Sequence, residues 1–167
     1  MTTVFDKEIE DQLAARPPRS ALVIDPVPDH ALSAYQAGHP ECRVTRLDEG
    51  DPLARLASLG RFDMAVVANT LEHMDKAGAG RLIARLRDLN APRLYIVIPM
   101  GPRWPGLTSY WAPADMIAYG MTRVGDHTRE GKPLQLYKFD IAEYKKNPDW
   151  LNPDHWANPE LWDKYRW

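Results

Sequence analysis

The chain has a single cysteine, Cys42, among its 167 residues, which excludes an internal disulfide and any metal site built on several cysteines. A small apolar residue on a buried strand is the plain reading of that thiol. The five histidines are scattered without ligand spacing, so a metal centre is not expected. No run is long and apolar enough to span a membrane, and the opening MTTVFDKEIEDQLAARPPRS has no apolar stretch suited to a signal peptide. Neither sign of charge dominates. The 21 basic and 23 acidic residues are interleaved for a formal charge of −2, so the basic face that nucleic acid requires is missing. These absences predict a cytoplasmic protein that engages neither membrane nor nucleic acid. What is present, 44% hydrophobic and 26% charged residues, is the balance of one ordinary globular domain with a sizeable core.

Strand and helix signals alternate along the first hundred residues. Val4, Ile9 and Leu13 lie at helical spacing ahead of Pro17 and Pro18, which predicts a leading helix within residues 1–19. SALVID, Ser20 to Asp25, is an apolar run closed by a carboxylate and Pro26, as suits a strand covered on both faces. Asp29 predicts an N-cap for DHALSAYQAG, with Leu32 and Tyr35 facing the sheet and Gly38 as its left-handed exit. CRVTRL, Cys42 to Leu47, alternates and reads as a strand near the sheet edge, closed by Asp48. Leu53, Leu56 and Leu59 mark a short helix. FDMAVVAN, Phe62 to Asn69, is the strongest interior strand, and Leu82, Ile83, Leu86 and Leu89 predict an amphipathic helix. RLYIVI, Arg93 to Ile98, is the next strand. This rhythm predicts a doubly wound, mostly parallel sheet with helices on both faces. Beyond it, a helix around Pro113 to Gly120 and two strands, Met121 to His127 and Leu134 to Ile141, joined by the turn TREGKP, predict an antiparallel pair at the sheet's end.

The order of motifs from Arg61 to Pro99 is similar to that of the class I S-adenosylmethionine-dependent methyltransferases. Phe62 and Asp63 lead an apolar strand, Leu71, Glu72 and His73 form the turn after it, and Pro99 closes the strand that follows the helix. The helix and hairpin from Trp111 to Ile141 suit the same ending, so about three quarters of the chain carries the resemblance. It implies a Rossmann-like α/β fold over residues 1–141, with a ligand crevice at the carboxyl ends of the strands. If the cofactor is held, the resemblance puts Asp25, Asp48, Asn69 and Leu71 around it, with Asp51 as the alternative to Asp48 and with Glu72 and His73 as candidate catalytic groups. His73 would serve as a base titrating near neutrality. Each residue also has a plain structural reading: Asp25 caps a turn, and Glu72 and His73 begin a helix.

One departure from the family pattern outweighs the matches. A glycine-rich turn should follow the first strand, because backbone there must approach the cofactor closely. SALVIDPVPDH has no glycine, and Pro26 and Pro28 remove two N–H donors. A second alignment makes ALVIDPVPDHALSAYQAG the family's second strand and helix, with its first strand missing; a sheet lacking its central strand leaves neighbours unpaired, so SALVID is expected at the centre. The expectation is a methyltransferase-like fold without S-adenosylmethionine, acting as a binding or assembly module. An active enzyme with an atypical loop is the alternative.

The last 26 residues, 142–167, repeat asparagine, proline, acid and tryptophan around Trp150, Trp156 and Trp162, with Trp167 beyond. Each unit suits a short helical start. The expected arm either buries its indoles on its own domain or meets a protein partner, and a homo-oligomer satisfies both.

Overall fold

Residues 5–144 are described in the computed structural model. The arm bearing Trp150, Trp156, Trp162 and Trp167 lies outside the described residues. Six strands form one sheet: β1 Ser20–Ile24, β2 Arg43–Leu47, β3 Met64–Val67, β4 Arg93–Pro99, β5 Thr122–Arg129 and β6 Lys132–Asp140. Their spatial order is β2-β1-β3-β4-β6-β5. The β1–β2, β1–β3 and β3–β4 pairs are parallel, whereas β6 runs antiparallel to both β4 and β5. SALVID is therefore an inner strand between β2 and β3, as expected. Glu130 and Gly131, at φ 52 and 72, make the two-residue hairpin turn between β5 and β6.

Alternation along the inner strands feeds two cores, one on each face. Leu22, Ile24, Ala65, Val67, Leu94 and Ile96 point to the face covered by α3 Pro52–Leu56, α4 Lys76–Arg85 and α5 Pro113–Ala118, where Leu56, Leu82, Ile83 and Met116 are fully buried. Ala21, Val23, Met64, Val66 and Tyr95 point the other way, to Phe5, Ile9 and Leu13 around α1 Asp6–Ala15 and to Leu32 beside α2 Ser33–Gly38. A short α6, Ile141–Tyr144, follows β6. The helix starts are locally encoded. Asp51 accepts from the Leu53 N–H with Pro52 in the first turn, and Asp75 accepts from the Gly78 N–H at 2.9 Å.

Three sequence expectations are corrected. The helix foreseen from Asp29 begins only at Ser33, because the Leu32 N–H is bound to His30 Nδ1 and the His30 N–H to Ser33 Oγ, which holds residues 30–33 in a local turn. Gly38 ends that helix without a left-handed φ. Leu89, placed on the apolar stripe of α4, is 56% exposed, since residues 86–90 form a π-helical turn, closed by the Ala91 N–H on the Leu86 carbonyl, whose extra residue keeps Leu86 inside and turns Asn90 inward in place of Leu89.

Candidate functional site

Four strand ends meet along one edge of the sheet. β1 delivers Asp25, β2 delivers Asp48, β3 delivers Asn69, and β4 leads into the 100–112 loop. The carboxyl ends of β1, β2 and β3 frame an open cavity of about 350 Å3 whose walls include Pro26, Asp48, Gly50, Asn69, Thr70 and His73. Strand order places it beside the inner strand, where open α/β sheets bind ligands.

Asp25, expected at the ligand, is buried at 4% exposure and does not line the cavity. Its Oδ1 accepts from the Val27 N–H at 2.9 Å and from Asn69 Nδ2 at 3.1 Å. The first contact is the local turn expected of aspartate before proline. Arg46 straps the same bend from outside, donating to the carbonyls of Asp25 and Pro26 and pairing with Asp48 at 3.4 Å. Asp48 is exposed, and Asp51 caps α3. His30 is nearly buried; desolvation pushes its imidazole below the ordinary value, and its Nδ1 serves as an acceptor.

A 3-10 turn over Leu71–His73 follows β3. Leu71 is fully buried in the core and does not line the cavity, whereas His73 is exposed and does. Glu72 lies between them, 5% exposed, and its Oε2 is buried with no hydrogen-bond partner. Burial raises its carboxyl above the ordinary value, opposed by backbone hydrogen bonds and His73 and reinforced by Asp25. The cover comes from the 100–112 loop. The Thr108 and Ser109 N–H groups donate to the Glu72 carbonyl at 2.9 and 3.1 Å, Ser109 Oγ donates to the Leu71 carbonyl, and the Trp111 indole donates to Ser109 Oγ.

The structure thus brings Asp48, Asn69 and His73 to one cavity, joins Asp25 to it only through the Asn69 amide, and sends Leu71 and Glu72 inward. Sequence reading missed Arg46, Gly50 and Thr70. Three nearby aromatic residues do not line this cavity: Trp111 is in the core, Trp104 hydrogen-bonds the Met100 and Pro133 carbonyls, and Tyr110 is exposed. Among the described residues no cluster of three His, Cys, Asp or Glu could hold a metal, and no helix is long and apolar enough to cross a membrane.

Strand order, the two helical layers and the crevice define a class I methyltransferase-like fold, and solved structures agree. Residues of this chain match the methyltransferase domain of bacterial CtHen1-CN with a TM-score of 0.56 at 12% identity, covering 81% of this chain and 96% of that one. Magnesium protoporphyrin IX methyltransferase (ChlM) from Synechocystis PCC 6803, with bound SAH, matches with a TM-score of 0.52 at 14% identity over 80% of each chain. The Burkholderia thailandensis 1,6-didemethyltoxoflavin-N1-methyltransferase, with bound 1,6-didemethyltoxoflavin and S-adenosylhomocysteine, matches at 0.50 and 18% identity, covering 81% and 76%. No curated protein matches the sequence. Within this fold the chain belongs to DUF6231, a family of unknown function, whose family model matches residues 4–167.

Proposed function

We propose that this chain is a methyltransferase-fold module that binds or assembles without transferring a methyl group, its crevice no longer holding S-adenosylmethionine. The bend after β1 carries this reading. Pro26 and Pro28 have no N–H, the Val27 N–H is bound to Asp25 Oδ1, and the His30 N–H is bound to Ser33 Oγ. A ligand whose amino-acid end must lie against this backbone meets ring carbons where it needs clearance and, at Val27 and His30, amides already taken by the chain's own side chains. The residues present do not fit that half of the cofactor.

The open cavity favours a second reading, an active methyltransferase with an atypical loop. Asp48 is exposed at its wall as an acceptor for vicinal hydroxyls, His73 is within the same space as a base, and two similar structures hold S-adenosylhomocysteine or SAH. Calorimetric titration with S-adenosylmethionine and S-adenosylhomocysteine separates the two. The module reading expects no heat of binding from either; binding in the micromolar range that is lost in Asp48→Ala establishes the second.

The assembly role falls to the arm carrying Trp150, Trp156, Trp162 and Trp167, whose indoles meet this domain or a second copy of it. Removing the residues after Tyr144 should change the sedimenting mass or expose apolar surface to a hydrophobic dye. An unchanged, equally stable fragment contradicts this role.

A further inference from the structure

At the end of the sheet away from the crevice, the amino end of β4 meets the carboxyl end of β6 and the last turn of α1. A cavity of about 270 Å3 opens there, with Ala15, Arg16, Arg93, Tyr95, Asp140 and Glu143 on its walls. Its charges are unevenly matched. Asp140 Oδ2 is bound by Arg16 Nη2 and Oδ1 by the Ala142 N–H, while Glu143 Oε1 is bound by Lys138 Nζ at 2.9 Å. Both carboxylates are thus engaged by cations other than Arg93, although Asp140 is its register partner across the sheet. Arg93 is 4% exposed and donates Nη1 to the Arg16 carbonyl at 2.8 Å; it pairs with no carboxylate among the described residues.

A guanidinium presents five donors in a flat fork, and one suffices to hold the end of α1. A cation this buried with no carboxylate in direct contact is unfavourable, and the space beside it is where a counter-ion fits. We propose that this cavity binds a small monocarboxylate on the free side of the Arg93 fork, with Arg16 and the Tyr95 hydroxyl alongside. Fork geometry selects a planar oxyanion. The Asp140 and Glu143 carboxylates on the walls oppose a second negative charge, which selects a monocarboxylate over phosphate, and the volume limits the ligand to a compact acid. The site is remote from the crevice, so its failure leaves the reading of the crevice untouched.

The test is an amide NMR titration of the full chain with benzoate, with benzamide as the uncharged isostere and with inorganic phosphate, all at one ionic strength. Benzoate should give saturable shifts at Ala15, Arg93 and Tyr95, benzamide none, and phosphate binding at least roughly fivefold weaker. Ala15 is exposed on α1, so substitution there spares the core. Ala15→Glu should weaken benzoate at least about fivefold through charge, whereas Ala15→Gln should stay within about twofold. Silence with benzoate, equal shifts with benzamide, phosphate binding as tight as benzoate, or equal losses from the two Ala15 variants would each overturn the proposal.

Discussion

Asn69 leaves the end of β3 with φ +47, and from that left-handed position its Nδ2 reaches Asp25 Oδ1 at 3.1 Å. One side chain therefore joins the ends of two parallel strands and holds the bend after β1. Asparagine tolerates this backbone better than most residues, and the amide gives the conformation its use.

Asn69→Ala should lose the hydrogen bond while keeping the unfavourable φ, at a cost of about 2 kcal/mol. Asn69→Gly loses the bond but not the backbone fit, and should cost less. Urea denaturation of both variants checks the order; equal losses would mean that backbone strain at residue 69 is unimportant.

The lone buried oxygen of Glu72 gives stability a particular pH dependence. Its folded carboxyl titrates above the ordinary value of 4.5, so the folded state binds the proton more tightly than the unfolded chain does. Its contribution is fully present below the unfolded value and is lost as pH rises from there through the raised folded value. Glu72→Gln, a neutral isostere, should remove that decline and leave the protein more stable than wild type at neutral pH. Thermal melts from pH 4 upward decide this, and parallel curves for the two proteins would show that Glu72 does not titrate inside the fold.

The pair between Glu8 on α1 and His127 on β5, 2.8 Å apart, acts with the opposite sign. The hydrogen bond from His127 holds the Glu8 carboxyl below its ordinary value, so its contribution is present above that value and lost as pH falls through the lowered one. Both side chains are about one-third exposed, which screens the interaction to about 0.5 kcal/mol. Glu8→Gln should cost that much at pH 6 and progressively less as pH falls below 4.5, as read from denaturation midpoints.

Periodicity made the architecture legible because both faces of β1, β3 and β4 are buried and their apolar runs could not be mistaken. The same method failed at Leu89, since a stripe drawn at α-helical spacing presumes a constant number of residues per turn, and the π-helical turn over Leu86–Asn90 adds one. This difference can be measured: Leu86→Ala should cost about 2–5 kcal/mol, and Leu89→Ala should fall within about 0.5 kcal/mol. Comparable losses would place Leu89 in the core after all.

At the site, the strand-end positions Asp25, Asp48 and Asn69 were legible because each apolar run stops at a polar residue. Arg46 was not, for its partners Asp25 and Pro26 lie 21 and 20 residues earlier and meet it only through β1–β2 pairing. Nor was the burial of Glu72, which depends on cover from Thr108 and Ser109 on a distant loop. Local sequence reports turn chemistry and periodicity; it does not report which loop closes over which turn.

The bend after β1 is best interrogated by its own amides. In a titration with S-adenosylhomocysteine followed by amide NMR, the Val27 and His30 resonances should stay where they are up to millimolar ligand, because both N–H groups remain on Asp25 and Ser33. Saturable movement of those two resonances at micromolar ligand would contradict the account.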